Sequence, residues 1–227
     1  MNNLNIRTLP WLGLILIITS WSAVQPNIFV IGDSISMHYG PYLEQLLQGT
    51  AHYQRKQDDG AADPKLGVPP DPNGGDSRMV LEYLKVKTRD PAFKPDLILL
   101  NCGLHDIKRH RETNETQVSK EHYRQNLESI IGLLRETNIQ IIWISTTPVI
   151  DSVHNSRQQA FSRYASDLDT YNGIADSVMS ELEVPSIDLY NFTRNLGADQ
   201  FVDHVHYTES ARKLQGAFIA GYLNSYL

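Results

Sequence analysis

Cysteine and basic residues are scarce in this sequence. Cys102 is the only cysteine among 227 residues, so no internal disulfide can form and the fold must depend on its hydrophobic core. The 20 Lys and Arg residues are outnumbered by 26 Asp and Glu residues, which gives a formal net charge of -6. Because no basic run offers a surface to a phosphate backbone, the composition argues against a nucleic-acid partner.

Long apolar segments are also missing, and the one near the N-terminus is short. It covers residues 9–19, follows Arg7 and is followed by the small residues Ser20, Ser22 and Ala23. A helix that spans a bilayer needs about 20 apolar residues, so this order predicts a cleaved signal peptide over residues 1–23 rather than a retained anchor. We then expect residues 24–227 to form one secreted or periplasmic domain, without stable membrane association.

Short apolar runs alternate with longer helical patterns along the rest of the chain. The runs are continuously apolar, which is typical of strands covered on both faces. They occupy residues 27–31, 96–101, 139–145 and 184–187, with a weaker one at 51–57. Helical periodicity covers residues 42–48, 77–87, 120–136, 159–182 and 209–227. This alternation predicts an α/β fold with a parallel sheet of about five strands, whose functional residues gather at the carboxyl ends of the strands.

A serine follows the first predicted strand directly, in the sequence Gly32-Asp33-Ser34. One interpretation is that Asp33 or Ser34 caps the next helix, as such residues commonly do. The other is that the Ser34 hydroxyl is a nucleophile held at the rim of the sheet. A nucleophile also needs a base and donors for the developing oxyanion, so other segments must supply them.

A candidate base lies before the last predicted helix. Asp203 precedes His206 by three residues, and in a turn that spacing can place the carboxylate beside the imidazole. Two alternatives remain open. His204 and His206 could form a metal-binding pair, or the whole segment could be a polar helix start capped by Thr208.

Two further segments offer oxyanion donors. After the strand at 96–101, either Asn101 or His105 could donate a hydrogen bond, while Asp106 could instead close an Asx turn. A second segment, "NGGDS", places Gly74 and Gly75 just before a predicted helix, where a backbone N–H could face the same pocket. It ends a long loop over residues 57–76 that is rich in Asp, Gly and Pro and has no obvious apolar lid.

Taken in order, these segments resemble the SGNH hydrolase, or GDSL-esterase, family over nearly the whole predicted domain. The matching segments are "GDSI" at 32–35, a glycine of "NGGDS", "GLHD" at 103–106, "STTPV" at 145–149 and "DHVH" at 203–206. The resemblance implies a flavodoxin-like, three-layer α/β/α sandwich around the parallel sheet. It also implies that the site needs neither a metal nor another cofactor.

The resemblance assigns a role to each candidate. Ser34 is the expected nucleophile, His206 the base and Asp203 the residue that orients the base. The expected oxyanion donors are the backbone N–H groups of Ser34 and Gly75 and the side chain of His105. His105 departs from the family pattern, which has asparagine at this position, but a neutral imidazole also carries one N–H.

The expected function is that of a secreted serine esterase acting on O-acetyl groups of a polysaccharide. Arg78 and Asp106 are the expected substrate contacts. If Arg78, Lys108 or Arg109 meets a uronate carboxylate, a methylesterase acting on an acidic glycan becomes the alternative. A lipase or thioesterase is a further alternative, and a catalytically silent carbohydrate-binding domain of the same fold is the alternative outside the enzymes.

Overall fold

The computed structural model describes residues 24–57, 71–157 and 160–226. The predicted signal peptide over residues 1–23 and most of the predicted long loop lie outside these ranges. A parallel five-stranded sheet with the strand order β2-β1-β3-β5-β7 forms the centre. Its strands are β1 (Asn27–Ile31), β2 (His52–Arg55), β3 (Leu97–Leu100), β5 (Gln140–Ile144) and β7 (Ser186–Ile187).

Seven helices surround this sheet in the described residues, together with a short 3-10 helix at Ala198–Gln200. They are α1 (Ser34–Leu46), α2 (Ser77–Lys87), α3 (Lys120–Glu136), α4 (Asp151–Arg157), α5 (Ala165–Glu181), α6 (Leu189–Asn195) and α7 (Glu209–Tyr226). The chain moves one way along the sheet after β1 and the opposite way after β2, so right-handed crossovers place α1 on one face and α2, α3 and α5 on the other. The predicted three-layer sandwich is confirmed.

The core lies on both faces of the sheet. The four residues of β3 are at most 1% exposed, and β1 and β5 are similarly buried beyond their first residues. This double burial explains why these strands appear in the sequence as continuous apolar runs. Within the described residues, no helix combines the length and the apolar character needed to cross a membrane.

Two predicted helix boundaries were wrong. The first helix begins at Ser34 rather than residue 42, because Asp33 caps it and Pro41 is accommodated on its exposed side. The helix predicted to start at residue 159 begins at Ala165, since Phe161–Ser162 (β6) pairs with Arg109–His110 (β4) in a separate antiparallel ribbon. The ribbon and the short helices α4 and α6 were not predicted.

The first and last helices of the domain pack against each other. Gly216 of α7 lies at their contact, where a Cβ atom would come within 3.1 Å of the Leu43 nitrogen and 3.3 Å of the Tyr39 carbonyl oxygen. A side chain at this position would therefore push α7 away from α1. The contact brings the start of α1 and the segment before α7 together at the carboxyl ends of the strands.

Candidate active site

Ser34 is the first residue of α1, but it does not cap this helix. The N-cap is the buried Asp33, whose Oδ1 accepts a hydrogen bond of 2.9 Å from the Ile35 N–H. The capping alternative for Ser34 is therefore wrong. Since the cap is supplied by its neighbour, the Ser34 hydroxyl is left to make other contacts at the carboxyl end of β1.

The Ser34 hydroxyl points to the imidazole of His206. Its Oγ lies 2.9 Å from His206 Nε2, and on the other side of the ring Nδ1 lies 2.7 Å from Asp203 Oδ2. A proton on Nδ1 shared with the carboxylate leaves Nε2 to accept the serine proton. The structure thus brings the three predicted residues together in the order serine, histidine, aspartate, with the geometry of a proton relay.

The turn before α7 fixes the Asp203 carboxylate. Its Oδ1 accepts hydrogen bonds of 2.8 Å from the backbone N–H groups of both Val205 and His206. Burial by itself raises the pKa of Asp203, but these two bonds and the bond to the His206 ring outweigh it and hold the pKa well below the ordinary value. The carboxylate is therefore charged at physiological pH and lies where it can orient the imidazole through Nδ1.

His204 does not pair with His206. Its ring packs edge-on against the buried His154 ring with 4.4 Å between centroids, whereas 6.5 Å separates it from the His206 ring. Across the described residues, no group of three or more His, Cys, Asp or Glu side chains is arranged to hold a metal ion. The contacts of His204 are thus those of a packing residue beside the turn.

Two of the predicted oxyanion donors carry N–H groups without a partner in the described residues. The backbone N–H of Ser34 has no hydrogen-bond acceptor among the described residues, and neither ring nitrogen of His105 has a partner there. Burial, helped by the positive charges of Lys108 and Arg163, lowers the pKa of His105 to about 3. The imidazole is therefore neutral and presents one N–H, as an oxyanion donor requires.

The glycine loop is anchored beside Ser34, but its N–H groups are engaged. The Gly74 N–H donates to the carbonyl of Gly32 at 2.9 Å, which ties the loop to the end of β1. Gly75 adopts a φ of 73°, and its N–H donates to Asn73 Oδ1 at 2.9 Å. Gly75 can thus serve as the predicted oxyanion donor only after the Asn73 side chain has moved.

Asp106 supports the fold, and its predicted role as a substrate contact was wrong. It has no exposed surface, and its Oδ1 and Oδ2 lie 2.9 and 3.1 Å from the Ser77 N–H at the start of α2. Burial, partly offset by hydrogen bonds from Ser77, raises its pKa to about 7.

Asn101, the other possible donor after β3, also has a structural contact, since its amide donates to the Ile144 carbonyl at 2.8 Å. Arg78 is half exposed and lies 3.8 Å from Asp76.

Sequence reasoning missed Arg163, which lies next to His105. Its Nε donates to the carbonyl of Leu104 at 2.9 Å, and the residue is only 5% exposed. The only sequence signal was an arginine between two aromatic residues, Phe161 and Tyr164, in a segment assigned to a helix. Its position becomes clear only from the β4–β6 ribbon.

The family model described as the GDSL-like lipase/acylhydrolase family matches residues 30–214, which is most of the chain, and the chain belongs to this family. Solved structures share its fold. A lipase/acylhydrolase from Enterococcus faecalis has a TM-score of 0.66 at 17% identity, over 89% of this chain and 97% of that one. A GDSL-like lipase from Bacteroides thetaiotaomicron has a TM-score of 0.63 at 15% identity, over 89% of each chain.

A third similar structure is the acetyl xylan esterase AlAXEase, with a TM-score of 0.62 at 16% identity, over 87% of this chain and 99% of that one. No curated protein matches the sequence. At these identities the solved structures show the fold alone. The family places the chain among esterases and related hydrolases, and the substrate has to be argued from the site.

Proposed function

We propose that the protein is a serine esterase that is exported from the cell and removes O-acetyl groups from a polysaccharide. The observation that carries this proposal is the continuous relay from Ser34 Oγ through the His206 ring to Asp203, with separations of 2.9 and 2.7 Å. Export is supported by the signal-peptide pattern over residues 1–23.

The relay supplies the chemistry of acyl transfer. His206 Nε2 takes the hydroxyl proton as Ser34 Oγ forms a bond to the ester carbonyl carbon, and the carbonyl oxygen gains the negative charge. Collapse of this tetrahedral intermediate breaks the bond to the alcohol oxygen, which receives the proton from His206. A water molecule then attacks the acyl-enzyme by the same route, releasing the acid and restoring the serine.

The developing oxyanion needs donors in place before the reaction. The Ser34 N–H and the neutral His105 N–H both lack other partners among the described residues, so they can serve without first breaking a hydrogen bond. The Gly75 N–H would be the third donor once Asn73 releases it. His105 thus takes the place of the family's usual asparagine amide.

The choice of an acetylated polysaccharide rests on three supports. A signal-peptide pattern suggests an extracellular substrate, and one protein of similar fold is an acetyl xylan esterase. The loop over residues 57–76 also contains no apolar run of the kind that a lipase uses to cover its site.

Replacement of Ser34 by Ala tests the proposal. We expect the wild type to hydrolyse 4-nitrophenyl acetate and to release acetate from acetylated polysaccharides, and S34A to lose about 10³-fold or more in kcat. A fluorophosphonate should label Ser34 in the wild type and leave S34A unlabelled in a mass spectrum. Wild-type turnover by folded S34A would refute the nucleophile. Inertness of the wild type toward the ester and the fluorophosphonate would favour a silent carbohydrate-binding domain.

A further inference from the structure

Two cations near His105, Lys108 and Arg163, have no carboxylate partner among the described residues. Lys108 Nζ lies 5.0 Å from the centroid of the Phe161 ring, and the guanidinium carbon of Arg163 lies 4.9 Å from the same centroid. Among the described residues, neither cation forms an ion pair. Arg109 provides the contrast, since its Nε and Nη2 lie 2.6 and 2.7 Å from the carboxylate of Asp167.

The position of Arg163 is fixed by its backbone and by one side-chain nitrogen. The Asn155 side chain forms two hydrogen bonds with the Arg163 backbone. Its Oδ1 accepts from the Arg163 N–H at 3.0 Å, and its Nδ2 donates to the Arg163 carbonyl at 2.9 Å. The Arg163 Nε donates to the carbonyl of Leu104, the residue before His105. Neither Nη group has a partner in the described part of the chain. The two Nη groups of Arg163 are thus held in place close to the segment that carries His105.

A guanidinium that is 5% exposed and unpaired is unusual, because burial of a charge without a partner is unfavourable. Burial lowers the pKa of Arg163 to about 10, and the more distant carboxylates of Asp33 and Asp203 offset only part of that effect. The side chain therefore remains charged at physiological pH. Such an arrangement is favourable when the missing counter-charge arrives with a ligand.

A cavity of about 470 Å³ lies on the Lys108 side of the Phe161 ring, and Arg163 does not line it. It is open to the surface, and its lining includes Lys108, Phe161, His110, Thr116, Gln117 and Glu115. The hydrogen-bonding groups in this lining suit a sugar ring, and the volume is adequate for one such unit.

We propose that Lys108 and Arg163 bind a carboxylate of the substrate, so that the natural substrate is an ester on a uronate-containing polysaccharide. This inference rests on the proposed esterase function and narrows its substrate class. A carboxylate matches the planar fork of Arg163 bidentately, whereas a neutral glycan would leave both Nη groups without an anionic partner. Lys108 supplies the second charge from the cavity side.

Binding can be tested without catalysis in the S34A background. The probe is an oligomer of polygalacturonate, and the comparison ligand is a neutral xylo-oligosaccharide of the same length, both measured by calorimetry. We expect S34A to bind the acidic oligomer more tightly, with an affinity that falls as salt is added. K108M and R163M in the same background should each weaken that binding about tenfold or more, since each removes a charge-assisted contact.

R89M is the matched control for these variants. Arg89 is exposed and lies just after α2, at the amino ends of the strands and therefore away from the candidate site. Its replacement should leave both affinities unchanged. R163M also loses the bond to Leu104, so R163K and the melting temperature accompany it. K108M removes no hydrogen bond seen in the structure, and therefore tests the proposal without this complication.

Rates of hydrolysis of two kinds of acidic ester show which part of the substrate carries the carboxylate that the protein recognises. Acetylated polygalacturonate places it on the sugar, and 4-nitrophenyl hemisuccinate places it on the acyl group. A preference of the wild type for acetylated polygalacturonate over acetylated xylan, reduced about tenfold or more in K108M, supports the proposal. A preference only for the hemisuccinate would overturn the assignment to the glycan. So would equal binding of acidic and neutral oligomers, or an acid preference that K108M and R163M both retain.

The two proposals fail in different ways. If the wild type hydrolyses 4-nitrophenyl acetate through Ser34 but shows no preference for acidic ligands, only the carboxylate site is refuted. If S34A binds the acidic oligomer through Lys108 and the wild type hydrolyses no ester, the esterase function is refuted, and the inference about its substrate falls with it.

Discussion

Ser34 Oγ lies 2.9 Å from His206 Nε2, although 172 positions separate the two residues in the sequence. One residue begins α1, and the other ends the turn that precedes α7. Since α1 and α7 pack against each other, the distance between the hydroxyl and the imidazole is set by a helix contact and not by a local loop. The following predictions depend on this arrangement.

Replacement of Asp203 by Asn should lower kcat by about 10³-fold or more, because a neutral amide can neither stabilise the imidazolium nor hold the correct tautomer of His206. The D203N protein should still fold, and Ser34 should keep its place at the start of α1. The measurement is kcat/KM for 4-nitrophenyl acetate, together with the rate of fluorophosphonate labelling. Near-wild-type turnover by a folded D203N protein would show that the carboxylate is not needed.

Replacement of His105 by Ala should lower kcat by roughly 10²-fold with little change in KM, because a hydrogen bond to the oxyanion strengthens mainly in the transition state. His105→Asn should recover part of the loss, since an amide N–H is a similar donor. Steady-state kinetics and melting temperatures are compared for both variants. An active but less stable H105A protein would assign His105 a purely structural role and leave the oxyanion to backbone N–H groups.

Stability should depend on pH through the same residue. The unfolded chain binds a proton at His105 near pH 6.5, whereas the native protein binds it only near pH 3. Between these values the unfolded state holds more protons, so the free energy of unfolding should fall as pH falls from 6.5 toward 3. H105N should remove up to about 1.4 kcal/mol per pH unit of that dependence in urea titrations. Equal slopes for the two proteins would contradict a buried neutral imidazole.

Replacement of Gly75 by Ala should destabilise the protein by about 1–2 kcal/mol, because its φ of 73° is unfavourable for a residue with a Cβ atom. The new methyl group would also lie 2.7 Å from Met79 Cε. Gly132→Ala in α3 is the matched control. A Cβ there meets nothing within 4 Å, so it should stabilise the helix by about 0.5–1 kcal/mol. Chemical denaturation of both variants decides whether the backbone conformation or glycine content matters.

The sheet could be predicted because its strands have a strong sequence signal. The run Leu97–Leu100 is apolar at every position, and this is what burial on both faces requires. The start of α1 was harder to predict, because a proline such as Pro41 usually interrupts a helix. Pro41 is tolerated on the exposed face of α1, and which face is exposed depends on how the opposite face of the helix packs.

The site could be predicted in part. Ser34, Asp203 and His206 occur in short segments whose order matches a known family, so their proximity could be inferred. The burial of Asp106 could not, because an aspartate that holds the N-terminus of a distant helix looks the same in a sequence as one that faces a ligand. Arg163 was missed for a similar reason, since a short ribbon of two strands carries almost no periodicity.

The contact between α1 and α7, made close by Gly216, also has a consequence for the order of events during synthesis. The ribosome produces Ser34 early, and it completes every strand of the described sheet before it reaches His206 and α7. A nascent chain can therefore begin to fold around its N-terminal strands before His206 is available to contact Ser34. The contact between Ser34 Oγ and His206 Nε2 can therefore form only late, after α7 has been made and packs on α1.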